Sequence, residues 1–288
     1  MRKIRKFNDE ILTLNNMLNV VETYQEIAAM RMRRVKRSVL NSREFLVDLN
    51  DAFRAVTFAY EEYLRRVKKS EETGEILGKN GRDVMVLLSA NMGLYGDIIR
   101  KTFEMFKDDV LKNPPNTDVV IVGKSGLDMY KLSNLNHEYT YFELSDSGHD
   151  PDNLRQLLER VLEYSQIRVY HGFFKSVLSQ VPKKTFVTGN AANLEDDYDK
   201  KGEAMFLFEP SVEEVSSYFE REVLSSVFEQ VTFESDLSKF SARMVSLYAS
   251  SDSIKKSLNK ISFAVKKFNH KMLNSKQITQ LSSIYLWN

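Results

Sequence analysis

The chain has 288 residues, of which 42% are hydrophobic and 28% charged, and its 41 Lys and Arg nearly balance its 40 Asp and Glu to give a net charge of +1. This composition excludes a disordered chain, and the balanced charge gives no sign of nucleic acid or an anionic membrane as a partner. The chain contains no Cys, which excludes disulfides, thiolate metal sites and thiol catalysis.

Glycine and proline are confined to the middle of the chain. All 11 Gly and all 5 Pro residues lie between Gly74 and Pro210. Because these residues interrupt helices, both flanks are predicted to be continuous helices around a compact middle. We therefore expect an N-terminal coiled-coil helix over residues 1–73, an α/β domain over 74–210 and a C-terminal coiled-coil helix over 211–288.

The first flank carries apolar residues at alternating spacings of three and four, the pattern of a coiled-coil seam. Only Gln25 and Ser42 are polar at these positions. The predicted helix would be about 100 Å long at 1.5 Å per residue, so its seam needs a partner of similar length. The seam positions are Ile4, Phe7, Ile11, Leu14, Leu18, Val21, Gln25, Ala28, Met32, Val35, Val39, Ser42, Leu46, Leu49, Phe53, Val56, Tyr60, Tyr63 and Val67.

The second flank supplies that partner. Its seam positions are Leu237, Phe240, Met244, Leu247, Ser251, Ile254, Leu258, Ile261, Val265, Phe268 and Met272. Beyond Met272 the register lapses, which indicates a single helix tip that has left its partner. Since the flanks are joined by the compact middle, we expect an antiparallel hairpin. Two separate helices, each paired with another copy of the chain, are the alternative.

Both flanks are basic over part of their length. Five cations occupy residues 31–37, namely Arg31, Arg33, Arg34, Lys36 and Arg37, and residues 253–288 hold seven Lys without any Asp or Glu. A solvated helix face, a nucleic-acid surface and a surface for an acidic protein collar are all compatible with this pattern. Neither segment has the interleaved aromatic residues of a nucleic-acid platform.

The middle alternates β-rich runs with helical stretches. The predicted strands are 84–90, 118–123, 140–145, 167–174, 185–189 and 205–208, and the predicted helices are 94–112 and 150–164. A helix that follows a strand indicates a βαβ unit, so the sheet is expected to be mostly parallel.

No motif in the middle predicts catalysis. The VGKSG run at 122–126 lacks a P-loop because Asp118 stands where the first Gly is needed. The loop at 89–97 fits a strand-to-helix turn better than an anion site, and the acidic loop at 195–199 fits a solvated connection. The four His residues have neither the spacing nor the carboxylate partners of a metal site. We therefore expect no metal, no cofactor and no catalytic residue.

Five segments, in order, resemble one family. They are EIAAMRMRRVKR (26–37), SANMGLYGDI (89–98), FEPSVEEV (208–215), SKFSARMVSLYASSDS (238–253) and FNHKMLNSKQITQLSSI (268–284). Together they are similar to segments of the gamma subunit of F-type ATP synthase, the central rotor shaft. The resemblance covers nearly the whole chain and implies an antiparallel coiled coil of terminal helices on a small α/β domain with a mostly parallel, Rossmann-like sheet.

The sequence also departs from that family. Asn91 and Met92 stand where the family has an Asp-Arg pair, and Asp97 stands where it has a second Gly. Asn274 and Ser275 align with an Arg-Gln pair that contacts the catalytic ring in the family. Two alternatives stay open: a rotor of a paralogous ATPase coupled to another process, and a non-rotary coiled-coil adaptor.

The resemblance implies a non-catalytic rotor that couples ion flow through a membrane c-ring to ATP synthesis or hydrolysis. The implied partners are the alpha and beta subunits, the epsilon subunit and the c-ring, without nucleic acid, and the implied location is the cytoplasmic face of the cell membrane. No apolar run approaches the roughly 18 residues of a membrane span, and no targeting peptide is expected. The implied hexamer-contacting residues are Arg31, Arg33, Arg34, Lys36, Gln277, Thr279 and Gln280, and the seam residues of the shaft include Leu18, Val21, Leu258, Ile261, Val265 and Phe268.

Overall fold

The computed structural model describes residues 2–67, 81–112, 117–133, 135, 137–146, 151–187, 209 and 211–285. Two long helices, α1 (Arg2–Val67) and α5 (Val212–Tyr285), flank the remaining elements in sequence. The chain divides into two compact units. We call residues 1–29 with 243–288 the terminal unit, and residues 30–242 the sheet unit.

The sheet unit contains five strands in the order β3-β2-β1-β4-β5. They are β1 (Asp83–Leu88), β2 (Thr117–Val122), β3 (Tyr139–Phe142), β4 (Gln166–Ser176) and β5 (Ser179–Phe186). Strands β1 to β4 pair in parallel, and β5 pairs antiparallel with β4 at the edge. The prediction of a mostly parallel sheet is confirmed, whereas the strand predicted at 205–208 lies outside the described residues.

Both faces of the sheet are covered, which explains the uninterrupted apolar runs 84–88 in β1 and 119–122 in β2. Helices α2 (Ile98–Lys112) and α3 (Lys124–Leu132) pack on one face, through side chains that include Phe106 and Tyr130. Helix α4 (Pro151–Val161) and the part of α5 around Phe228 pack on the other face.

The largest differences from the sequence prediction concern α2, β5 and α3. Helix α2 begins at Ile98 instead of 94, because Leu94 and Gly96 have φ angles of 70° and 60° that a helix cannot contain. Strand β5 begins at Ser179 instead of 185, because β4 and β5 are joined at Val177 and Leu178, where no Gly or Asn marks the turn. Helix α3, which begins within the GKS run, was not among the predicted helices.

The two long helices pack against each other, as predicted. Within the sheet unit the Arg31 guanidinium lies 5.8 Å from the centre of the Phe240 ring, and Arg43 forms an ion pair with Glu234. The partner residue in α5 falls in number as the residue in α1 rises, so the helices run antiparallel. The domain boundaries predicted at 73/74 and 210/211 stay a prediction.

Candidate functional site

The helical pair is most deeply buried inside the sheet unit. Val35 and Val39 of α1 and Leu237 and Phe240 of α5 form one apolar cluster, with exposed fractions between 1% and 8%. Phe174 of β4 packs against the same cluster. The seam positions of both helices therefore meet here, and β4 packs against them as a third element.

In the terminal unit the same two helices have a shallower seam. Lys255 of α5 forms an ion pair with Glu22 of α1, with the Lys Nζ 2.8 Å from a carboxylate oxygen. The hydrogen bond to Glu22 raises the pKa of Lys255. The predicted seam residues of this unit are partly buried: Leu18, Val21, Leu258, Ile261, Val265 and Phe268.

Beyond the seam, the end of α5 is exposed. Met272 is the last partly buried side chain, and every side chain from Leu273 to Ser282 is exposed. Leu273, Ile278 and Leu281 keep more than half of their surface accessible. Gln277, Thr279 and Gln280, which the sequence marks as contact residues, lie in this segment. An exposed helix surface with three large apolar side chains fits contact with another protein.

The basic segment of α1 does not act as one cluster. Arg33, Arg34 and Lys36 are exposed, whereas Arg31 is partly buried and stacks on the Phe240 ring. Of the residues predicted to contact a partner, Arg31 thus packs within the hairpin, and the other three cations point to solvent. Within the part of the chain that the structure describes, no ion pair involves these three residues.

A polar contact that the sequence did not predict closes the carboxyl ends of three strands. Asp146 is buried and accepts hydrogen bonds from the backbone amides of Asn91 and Met92, at 2.8 and 2.6 Å. The Asn91 side chain donates to the carbonyl of Leu144 and accepts from the amide of Lys124 at the start of α3. These bonds join the loops after β1, β2 and β3. The presence of an Asn in the loop after β1 is the only feature of the sequence that hints at them.

The GKS run has a structural role. The φ angle of Gly123 is 93°, and a Cβ placed on it would lie 2.8 Å from the backbone nitrogen of Ala90. Any larger residue would collide with that backbone. The first amide of α3, which a phosphate would need, is instead bonded to Asn91.

The ionisable groups buried in the sheet are structural. His171 is fully buried in β4, donates from Nδ1 to the carbonyl of Gly172 and accepts at Nε2 from the hydroxyl of Thr185. Burial lowers its pKa to about 4, so the ring is neutral at pH 7. Burial also raises the pKa of Tyr170, whose hydroxyl donates to Asp109.

No group of acidic or His side chains among the described residues has the arrangement of a metal site. None of the helices, as far as they are described, is long and apolar enough to cross a membrane. The EPSVEEV motif contains the start of α5. There Ser211 Oγ accepts a hydrogen bond from the backbone amide of Glu214 and caps the helix. The motif segments identified from the sequence therefore hold the helices and loops in place.

Comparison with known proteins gives one family. The model of the family described as ATP synthase matches residues 3–271. The ATP synthase gamma chain of Ruthia magnifica subsp. Calyptogena magnifica is 20% identical over 265 residues, which cover 86% of this chain and 86% of that protein. The ATP synthase gamma chain of Clostridium perfringens strain SM101 is 21% identical over 240 residues, covering 81% of this chain and 80% of that protein.

Solved structures have the same fold. The rotor of the Euglena gracilis mitochondrial ATP synthase matches with a TM-score of 0.57 and 15% identity, over 94% of this chain and 99% of that chain. The central stalk and c-ring structure of the Tetrahymena thermophila mitochondrial ATP synthase contains a chain that matches with a TM-score of 0.55 and 18% identity. That match covers 81% of this chain and 99% of that chain.

Proposed function

This chain belongs to the ATP synthase family, and from that premise we propose that it is the central-stalk rotor, or gamma, subunit of a rotary ATPase. In this proposal the paired terminal helices turn inside an alpha/beta hexamer. The sheet unit joins the epsilon subunit and a membrane c-ring. The chain itself is non-catalytic and links the rotation of the ring to nucleotide affinity in the hexamer.

The observation that carries this proposal is the change in exposure along α5. Its seam positions are buried or partly buried up to Met272, and the next ten side chains are all exposed. An exposed helix end that carries Leu273, Ile278 and Leu281 is suited to contact with a surrounding protein. The bore of a hexamer provides a continuous collar of that kind.

The charges favour the same partner. Arg33, Arg34 and Lys36 are exposed on α1, and Lys260, Lys266 and Lys267 are exposed on α5. Cations on the outside of a rotor would be attracted to acidic loops on the inner surface of the hexamer. Gln277, Thr279 and Gln280 would supply neutral contacts near the end of the shaft.

The finer parts of the proposal concern the membrane. We propose protons as the coupled ion and a position on the cytoplasmic face reached only through the c-ring, and the family relationship supports both. The sheet unit fits this position because it carries an exposed β4–β5 edge, with Leu178 81% accessible at the turn. That edge is the surface through which a foot would contact its neighbours.

Affinity capture of the tagged chain from cells that encode it, with protein identification, tests the proposal. Capture of alpha and beta subunits together with a c-ring supports a synthase rotor, and capture of neither contradicts any rotary role. A tagged Ile261→Asp variant should lose the hexamer but retain the foot partners, because the change disrupts only the seam of the terminal unit. Ser262→Asp, at an exposed neighbouring position, should behave like the unmodified chain.

A second candidate is a rotor of the same design in an ATPase coupled to a process other than ion-driven synthesis. The observation that favours it is the altered loop after β1, where Asn91 uses its side-chain amide to bond both Leu144 and Lys124. Asn274 and Ser275 on the exposed end of α5 also replace the Arg-Gln pair of the family. Capture of the hexamer without a c-ring would support this candidate.

A further inference from the structure

One turn of α5 contacts both the partner helix and the sheet. Leu237 and Phe240 pack against Val35 and Val39 of α1, as described above. Between them, Ser238 and Lys239 are buried and contact the sheet. We call residues 237–240, together with their contacts on β1 and β4, the joint.

The contact with β4 depends on the absence of a side chain. A Cβ placed on Gly172 would lie 2.6 Å from Ser238 Oγ and 3.0 Å from Ile98 Cγ1. Ser238 is fully buried, and its hydroxyl has no hydrogen-bond partner among the described residues. Steric fit, rather than hydrogen bonding, therefore explains a small residue at 238 opposite a glycine at 172.

The contact with β1 is electrostatic. The Lys239 amino group is buried, donates to the carbonyl oxygen of Ser89 at 3.2 Å and pairs with Asp236 at 2.8 Å. Ser89 is the first residue after β1. A charge-assisted bond from the helix thus ends on the carboxyl edge of the central strand, while Asp236 on the same helix neutralises the buried amine.

This edge is the place where open sheets of this strand order hold ligands. Here α5 occupies it, and the remaining cavity of about 50 Å³ is lined by Ser89, Ser235, Asp236 and Lys239 among others. That volume admits only a few water molecules. The long helix therefore takes the position that a bound nucleotide has in a dinucleotide-binding fold of this kind.

The arrangement resists rotation of α5 about its own axis. One residue along a helix corresponds to about 100° of rotation, and the neighbours of Ser238 are Leu237 and Lys239, both too large to face Gly172. In another part of α5, Leu224, Phe228 and Val231 pack on the sheet through apolar contacts. Such contacts are non-directional and do not fix the rotation of the helix. The joint restricts the rotation of α5 through both a steric and a polar contact, and apolar contacts alone do not provide this restriction.

We propose that this joint is the element that transmits torque between the helical hairpin and the α/β sheet, with Gly172, Ser238 and Lys239 as its positioning residues. The proposal rests on the rotor function above. It requires that α5 and β4 do not move relative to each other while the complex works.

A disulfide across the joint tests this requirement. Because the chain has no Cys, the Gly172→Cys and Ser238→Cys double variant carries one unique pair. The two Cβ positions are 3.2 Å apart, a few tenths of an ångström below the disulfide range of about 3.5 Å and above. In the assembled complex, the oxidised variant should pump as many ions per ATP as the reduced one. A loss of pumping on oxidation that reduction restores would overturn the proposal.

The Lys239→Met variant gives a second test that does not depend on the disulfide. It keeps the length of the side chain but removes both the bond to Ser89 and the ion pair with Asp236, so the complex should assemble and hydrolyse ATP while ions pumped per ATP fall about twofold or more. Ser253→Leu, at an exposed serine of the same helix, is the control. Unchanged pumping in Lys239→Met would contradict the joint. Failure of the unmodified chain to join a hexamer would instead contradict the proposed function.

Discussion

The same two helices are packed differently in the two units of the chain. In the terminal unit the seam residues other than Ala28, Leu247 and Ser251 are partly buried, whereas in the sheet unit Val39, Leu237 and Phe240 are at most 3% exposed. A helix pair covers only one stripe of each helix, so a large side chain at the edge of that stripe is more fully buried where a third element packs on it. The sheet provides that element in one unit, and in the other the uncovered sides are available to a partner.

The largest expected effect comes from a substitution in the buried cluster of the sheet unit. Phe240→Ala should lower the free energy of unfolding by about 3–5 kcal/mol, because it leaves a cavity between α1 and α5. Phe263, which is 69% exposed in the terminal unit, is the matched control, and Phe263→Ala should change stability by less than about 0.5 kcal/mol. Urea denaturation followed by circular dichroism measures both. Equal losses in the two variants would remove the distinction between the units.

Acid should destabilise the sheet unit through His171. Its folded pKa of about 4 lies below the ordinary value of 6.5, so the unfolded chain binds a proton first as the pH falls. Stability is therefore lost between pH 6.5 and 4, by about 3 kcal/mol in total. His171→Gln should flatten this slope, whereas the exposed His270→Gln should leave it unchanged. Denaturation curves measured across that pH range test this prediction. Identical slopes of stability against pH in all three proteins would contradict the role of His171.

A charge in the shallow seam should have an intermediate effect. Ile261→Asp places an unpaired carboxylate at a partly buried position, and we expect a loss of about 2 kcal/mol. Thermal melting of the variant beside Ser262→Asp, whose side chain is exposed, measures the difference. If the two variants melt together, residue 261 does not lie in the seam.

The smallest effect on stability is expected from the exposed cations of α1. Reversal of Arg33 and Arg34 to Glu should change the free energy of unfolding by less than about 0.5 kcal/mol, yet weaken binding to an isolated hexamer several-fold. Reversal of Lys124 and Lys131, exposed on α3, is the control with the same charge change. Hexamer binding that is unaffected by the α1 reversal would contradict the role of these cations as contacts.

Much of the fold could be predicted because it follows from local patterns. The spacing of apolar residues predicted both long helices, the compact middle that joins them predicted their antiparallel pairing, and β-rich runs predicted the four parallel strands. The start of β5 was missed because its turn at Val177 and Leu178 lacks turn residues. Helix α3 was missed because its nine residues are too few to show a period.

The surroundings of the predicted contact residues could not be read from the sequence, because these surroundings are not local. Arg31 belongs to the same basic run as Arg33 and Arg34 in sequence, yet it stacks on Phe240, which lies more than two hundred positions later. The bonds of Asn91 likewise join loops that are 33 and 53 residues away. No periodicity connects such positions.

The sequence by itself determined that this protein has two uninterrupted helices joined by an α/β domain, since helix periodicity and the confinement of Gly and Pro act within a few residues. The tertiary structure alone decided where α5 lies on the sheet, because that position depends on a missing Cβ at Gly172 and a buried amine at Lys239. Steric fit and desolvation depend on two surfaces that come together only in the folded chain, so the sequence of one segment alone cannot predict them.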